Sequence, residues 1–104
     1  PAPKIKYEGA LYLADPFDIL ARVRKTPRTI SHLMVVGHNP GLQILAIELV
    51  GNGDPDQISA LSAKLPTAGV VVMTFDVKSW RDVGPGKGQL VCFATPKSLM
   101  AAAA

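Results

Sequence analysis

Apolar residues along this chain follow two rhythms, one with a helical repeat and one in short unbroken runs. Ile5, Tyr7, Leu11 and Tyr12 fit neither, and Gly9 interrupts them, which predicts a short strand or an extended entry. Asp15 then stands where an N-cap belongs and Pro16 suits the first helical position. Phe17, Leu20 and Ala21 fall at the i, i+3, i+4 spacing of one helical face, which Ile19 and Val23 widen. A helix is expected from about residue 16 to 25. Its last turn holds Arg22, Arg24 and Lys25, with Arg28 just beyond, where positive charge complements the carboxyl end of the helix dipole. Pro27 and the mostly polar stretch 26–31 end it.

Leu33, Met34, Val35 and Val36 form a continuous apolar run, the pattern of a central strand covered on both faces. Gly37 to Gly41 break it, and residues 40–50 predict a largely buried helix in which only Gln43 and Glu48 are polar. Residues 51–54 and Pro55 read as a loop. Asp56 is placed to cap a short helix carrying Ile58, Leu61 and Leu65 inward and Ser59, Ser62 and Lys64 outward, stopped by Pro66. Val70 to Met73 is a second covered run, again expected as an interior strand. The stretch 76–88 is mostly polar and Gly84, Pro85, Gly86 and Gly88 make a turn. Residues 89–95 alternate, with Leu90, Cys92 and Ala94 on one face and Val91, Phe93 and Thr95 on the other, so the last two strands are expected to pair antiparallel. The sum is an α/β sandwich with strands inside and helices outside.

Composition narrows the class. The 104 residues are 48% apolar and only 18% charged, with a mean hydropathy of +0.24, which excludes disorder and a coiled coil and bounds the chain at one domain. A net charge of +3 is too mild to argue for nucleic acid. The single cysteine, Cys92, excludes an internal disulfide framework. No apolar run reaches the ~18 residues of a membrane helix, so a soluble, cytoplasmic protein with neither nucleic-acid nor membrane partners is expected. The chain opens Pro1-Ala2-Pro3 and closes on a polyalanine tail at 101–104, and these ends are excluded from fold reasoning.

Chemistry concentrates in Val35-Val36-Gly37-His38-Asn39-Pro40-Gly41, a strand, a tight exit and a helix start. Ligands of open α/β sheets bind at the carboxyl ends of strands, where a helix N-terminus offers free N–H groups to an anion. His38, a double donor when protonated, is placed to hold a phosphoryl oxygen, and Asn39 is the natural N-cap. The alternative is that His38 is a turn residue donating to a nearby carbonyl. His32 lies six strand residues away, roughly 20 Å, so the two histidines cannot share a metal or a proton. With one cysteine and no second histidine in reach, no metal is assigned. Ser59 and Ser62 have no base nearby in sequence, Cys92 reads as a packing residue, and Gly84-Pro85-Gly86-Lys87-Gly88 lacks the spacing and following helix of a phosphate loop. The Arg22, Arg24, Lys25, Arg28 group reads as a solvated helix end, the alternative being a contact for an acidic partner.

Several motifs in order carry a resemblance. Leu11-Tyr12, a helix, an apolar strand and Gly37-His38-Asn39-Pro40-Gly41 come first. Leu65-Pro66-Thr67-Ala68-Gly69, a strand ending Phe75-Asp76, Trp80, Gly84-Pro85-Gly86, Gly88, Leu90, Phe93 and Pro96 follow. This order resembles the C-terminal part of the bacterial SixA-type phosphohistidine phosphatases of the histidine phosphatase (phosphoglycerate mutase-like) superfamily, across nearly the whole chain. The resemblance implies a three-layer sandwich with a mixed central sheet and helices on both faces. Residues 1–100 would be the C-terminal portion of a single histidine phosphatase domain whose N-terminal strand and helix are missing here.

The resemblance also implies a two-step phosphoryl transfer without a cofactor. A nucleophilic histidine in an Arg-His-Gly or Arg-His-Ala motif attacks phosphorus, and water hydrolyses the resulting phosphohistidine enzyme. Two arginines and a second histidine clamp the oxygens. His38 matches that second histidine, while Asn39 and Thr67 are carried over as phosphate-binding residues. Other branches of the superfamily use a carboxylic acid as general acid, for which Glu8 is the one candidate in the right stretch, the alternative being a solvated surface glutamate. The nucleophile and the two arginines have no counterpart among these residues, and Arg22, Arg24, Arg28 and Arg81 do not follow a strand in the required motif. The chain alone is therefore expected to be an inactive fragment of a phosphatase acting on a phosphorylated protein or a small phosphate ester. The alternative is a non-catalytic phosphate-binding or protein-interaction module.

Overall fold

The structure, a computed structural model, describes residues 15–36 and 39–103. The strand or extended entry expected near Ile5 to Tyr12 lies outside the described residues.

Helix α1 (Pro16–Arg24) begins as its sequence dictates. The Asp15 carboxylate accepts from the Phe17 N–H at 2.8 Å, and Pro16 fills a first-turn position where its missing N–H costs nothing. Its buried residues are Ile19, Leu20 and Val23, whereas Phe17 is 69% exposed. The expected Phe17–Leu20–Ala21 face is thus rotated: the widening residues Ile19 and Val23 hold the centre of the stripe. Helix α2 (Gly41–Leu49) buries Leu45, Ala46 and Leu49 but leaves Ile44 and Ile47 exposed, so it is covered on one side only.

Two further elements depart from expectation. Residues 51–53, expected in a loop, belong to strand β1 (Val50–Gly53), which pairs parallel to β3 (Gly88–Ala94). Helix α3 (Pro55–Ala63) is capped by Asp54, whose carboxylate accepts from the Asp56 N–H at 3.0 Å, not by Asp56. Pro55 explains the shift, because it belongs at the first helical position and places the cap immediately before itself. Leu61 is buried, and Ser59 and Ser62 face outward as expected.

Strand β2 (Val70–Phe75) pairs antiparallel with β3, as the sequence indicated, and the sheet order is β1-β3-β2. The sheet is therefore mixed, and among the described residues β2 is an edge strand instead of an interior one. A register shift between Val72 and Met73 realigns the pair so that Met73 stands opposite Leu90 and Thr74 opposite Gln89. Beyond the end of β1, the Phe93 N–H is taken by Gln57 Oε1 from α3 at 3.1 Å, a side chain standing in for a strand neighbour. A 3₁₀ turn (Trp80–Asp82) leads to the buried Val83. Helix α4 (Pro96–Ala103) closes the chain and takes in alanines from the tail. Thr95 and Ser98 exchange backbone and side-chain hydrogen bonds at its start, at 2.8 and 3.0 Å, a reciprocal cap written as Thr-Pro-Lys-Ser.

The core gathers Ile19, Leu20, Leu45, Leu49 and Val83, with Val35, Leu42, Met73, Phe75, Val77 and Trp80 packed around it. The run Leu33–Val36 does not form the central strand its pattern predicts: it joins no sheet, and Met34 and Val36 are 79% and 81% exposed. A covered strand needs neighbours to hydrogen-bond, and among the described residues none lies beside this run. It is held through Val35 in the core and through Trp80, whose Nε1–H donates to the Ile30 carbonyl at 2.6 Å.

The loop 84–88 is seated on the α2–β1 junction, where the Gly86 N–H donates to the Glu48 carbonyl at 2.9 Å. A Cβ at Gly51 would collide with the Gly86 carbonyl, so this backbone approach requires glycine. Gly51→Ala is expected to destabilise the fold by about 1–3 kcal/mol, the usual range for forcing atoms into a packed contact, read as a lower urea midpoint.

Candidate functional site

The chain leaves the Leu33–Val36 run, passes residues 37 and 38, and enters α2 through Asn39 and Pro40. His38 and Glu8 both lie outside the described residues. Asn39 is described, and its carboxamide is engaged at both ends. Oδ1 accepts from the Gln43 N–H at 3.2 Å, and Nδ2 donates to the Leu65 carbonyl, 26 residues away, at 2.6 Å. The residue in the cap position is Pro40, which has no side-chain cap, so Asn39 supplies the capping oxygen from one position earlier than a standard N-cap. Because Oδ1 takes Gln43 and the Pro40 carbonyl takes Ile44, the first-turn amides not engaged by these two residues are those of Gly41 and Leu42.

Gln43, which the sequence reading passed over, continues the same seam. Its Nε2 donates to the Leu61 carbonyl of α3 at 3.1 Å in a half-buried position. The signal was available, since Gln43 and Glu48 are the only polar residues of an otherwise apolar helix, and a polar group on such a helix needs a partner when covered.

Thr67 sits in the turn that follows. The Gly69 N–H donates to the Pro66 carbonyl at 2.9 Å, and Ala68 has φ +61°, the arrangement of a type II turn with Thr67 exposed at its first central position. A Cβ at Gly69 would press on Leu65 Cδ1 at 2.9 Å and on the Pro66 carbonyl at 3.0 Å, so the following position is fixed as well. The Asn39–Leu65 bond thus joins the segment entering α2 to the segment carrying Thr67. Those are two of the stretches the sequence singled out, brought together across 26 residues.

The other candidates stay apart from this seam. His32 is exposed, with Nδ1 3.1 Å from Ser31 Oγ, and Cys92 is a half-buried free thiol. Arg24 is exposed at the end of α1, as expected, and is also tied there, because its Nε donates to the Val83 carbonyl at 2.8 Å. An open cavity of about 350 Å³ is lined by Asn52, Thr74, Phe75, Asp76, Lys87 and Gln89. It adjoins the far end of β2 from Thr67, roughly 20 Å along the strand, so it is not the site indicated by the motifs. No helix among the described residues is long and apolar enough to cross a membrane.

No family model matches the chain. An uncharacterized protein of Mycobacterium tuberculosis, found in two strains, is 34% identical over 94 residues, covering 88% of this chain and 59% of its own length. An uncharacterized protein of Mycobacterium leprae is 27% identical over 94 residues, covering 89% of this chain and 58% of its own. The chain therefore spans about three-fifths of the length of the curated relatives it matches. A solved structure from Nakamurella multipartita, provisionally named a phosphohistidine phosphatase SixA, superposes with a TM-score of 0.78 at 22% identity, over 91% of this chain and 59% of that one. The α/β fold with a mixed sheet is thus shared with that structure.

The strained position beside Thr67 gives a direct test of the turn. A left-handed backbone costs a non-glycine residue about 1–2 kcal/mol, part of which glycine gives back through its freer unfolded chain. Ala68→Gly is expected to stabilise by up to about 1 kcal/mol and Ala68→Val, with its branched Cβ, to destabilise, both read as shifts in the thermal midpoint.

Proposed function

We propose that this chain is the C-terminal portion of a phosphatase that hydrolyses phosphohistidine, in a protein or with small phosphate esters as a second substrate class. The observation that carries the reading is the Asn39–Leu65 hydrogen bond, which places the helix start after His38 beside the turn bearing Thr67. The likeness to the structure from Nakamurella multipartita supports it through the fold.

The chemistry breaks two P–N bonds in turn, the first replaced by a new P–N bond and the second by a P–O bond. A histidine outside this chain attacks phosphorus, the bond from phosphorus to the substrate imidazole breaks, and that leaving nitrogen takes a proton. An imidazole nitrogen is protonated near neutral pH, so the step does not depend on a strong acid such as Glu8. Water then attacks the phosphoryl-enzyme, releasing inorganic phosphate and restoring the nucleophile. His38 is assigned to hold a phosphoryl oxygen as charge redistributes, with the α2 amides of Gly41 and Leu42 and the Thr67 hydroxyl as neutral donors.

The test compares phosphohistidine hydrolysis by the longer protein, by this 104-residue chain and by His38→Ala in the longer protein. The expected result is activity in the longer protein, none above background in the chain alone, and a loss of about 10²–10³-fold in kcat for His38→Ala, the usual effect of removing one donor to developing charge. Activity in the isolated chain would place the nucleophile here. An inactive longer protein that still binds phosphate would make this a binding module.

A further inference from the structure

Resting on the reading above, we infer that Asn39 is a positioning residue: its carboxamide ties the Leu65–Gly69 turn, which carries Thr67, to the start of α2, and so fixes where Thr67 stands relative to the candidate site. The sequence suggested Asn39 as a direct phosphate ligand. Its side chain instead has an acceptor and a donor committed to backbone groups of two different segments, the Gln43 N–H and the Leu65 carbonyl.

The chemistry is specific to a carboxamide. The Gln43 contact needs an acceptor and the Leu65 contact needs a donor, and a primary amide presents one of each in a fixed plane, which also settles which end is oxygen. An aspartate would keep the first contact and lose the second, and serine is too short to span both. The Asn39 bonds are exposed, so water competes for them and their net contribution to stability is small, about 0.5–1.5 kcal/mol each. Their consequence is geometric. The turn they grip is not set by the sheet, because it precedes the first residue of the edge strand β2, and its Ala68 backbone is held in a left-handed conformation that a loose loop would relax. Gln43 adds a second tie one turn along, from α2 to the Leu61 carbonyl, and limits how far α3 can move away.

A merely structural cap and a positioning residue differ in how Asn39 couples to Thr67. In the longer protein, kcat/KM for phosphohistidine is measured for Asn39→Ala, Thr67→Ala and the double variant. Thr67→Ala is expected to lower kcat/KM about 10-fold, one good hydrogen bond to a charged group, and Asn39→Ala by a similar factor. The double variant is expected to stay within about 2-fold of Asn39→Ala, since a hydroxyl already out of place has nothing left to lose. Multiplicative losses near 100-fold, or an Asn39→Ala variant with unchanged kcat/KM, overturn the inference.

A second measurement on the same proteins is independent of turnover. Amide hydrogen exchange at Gly69, whose N–H is bonded to the Pro66 carbonyl, is expected to accelerate at least 10-fold in Asn39→Ala while the β3 amides are unchanged. Unchanged exchange in the turn overturns the tether whatever the activity. If the longer protein has no phosphatase activity and the turn nonetheless loosens, the tether stands and it is the phosphatase reading that fails.

Discussion

Val83 is the point on which the two halves of the chain close. It is 1% exposed and lies between Ile19 and Leu20 of α1 and Leu45 and Leu49 of α2, so one side chain from the second half seals a seam between helices from the first. Its carbonyl is taken by the Nε–H of the exposed Arg24 at 2.8 Å, which clamps this loop to the end of α1. With Val83 fixed, the residues after it have one place to go. Gly86 reaches the Glu48 carbonyl, and Gly88 begins β3 with Val50 of β1 on one side and Phe75 of β2 on the other. At Gly88 a Cβ would meet the Leu49 carbonyl and Met73 Sδ at 2.9 Å, so the start of the central strand packs directly on the end of α2. Filling that small volume holds sheet and helices together, and the hydrogen bonds around it set the register.

What could be read from the sequence was local. Asp15-Pro16 and the i, i+3, i+4 stripe located α1, and the alternation after Gly88 located β3 and its antiparallel partner. Where a reading slipped, a contact distant in sequence had decided the matter. Val50-Gly51-Asn52-Gly53 has the composition of a turn and becomes a strand because β3 offers it a hydrogen-bonding edge and Gly86 comes too close for anything but glycine. Val83 sits in a stretch that reads as polar and is among the most buried residues described, which no local pattern reveals. Thr95-Pro96-Lys97-Ser98 did carry a helix-start signal, and setting the terminal alanines aside hid the helix it begins.

The run Leu33–Val36 is the opposite case, a strong local signal without its structural consequence. Four consecutive apolar residues describe a strand covered on both faces, yet among the described residues Met34 and Val36 are open to solvent and no ladder includes them. Among the described residues strand β2 likewise has a hydrogen-bonding neighbour on one side only, though its Val-Val-Val-Met pattern is that of an interior strand. Both unmet patterns ask for the same thing, additional strand neighbours, and the relatives matched by this chain are longer by about two-fifths of their length. Within the proposed reading, the remainder of the longer protein supplies both those neighbours and the nucleophile, so sheet completion and catalytic competence would arrive together.

That dependence explains why the candidate site needs side-chain ties at all. In an α/β site built on adjacent strands, backbone ladders hold the loops at the strand ends in register. Here the helix after His38 and the turn before β2 share no ladder among the described residues: α2 packs on α3, and α3 packs on β1 and β3. The path between them runs through α3, whereas, within the proposed reading, holding a phosphoryl oxygen would need donors placed to within a few tenths of an ångström. Asn39 to Leu65 and Gln43 to Leu61 bridge that path directly with two amide side chains of fixed geometry. Within the proposed reading, the precision that no ladder among the described residues transmits across this part of the fold would be carried by these two side chains, one of which follows His38 in sequence.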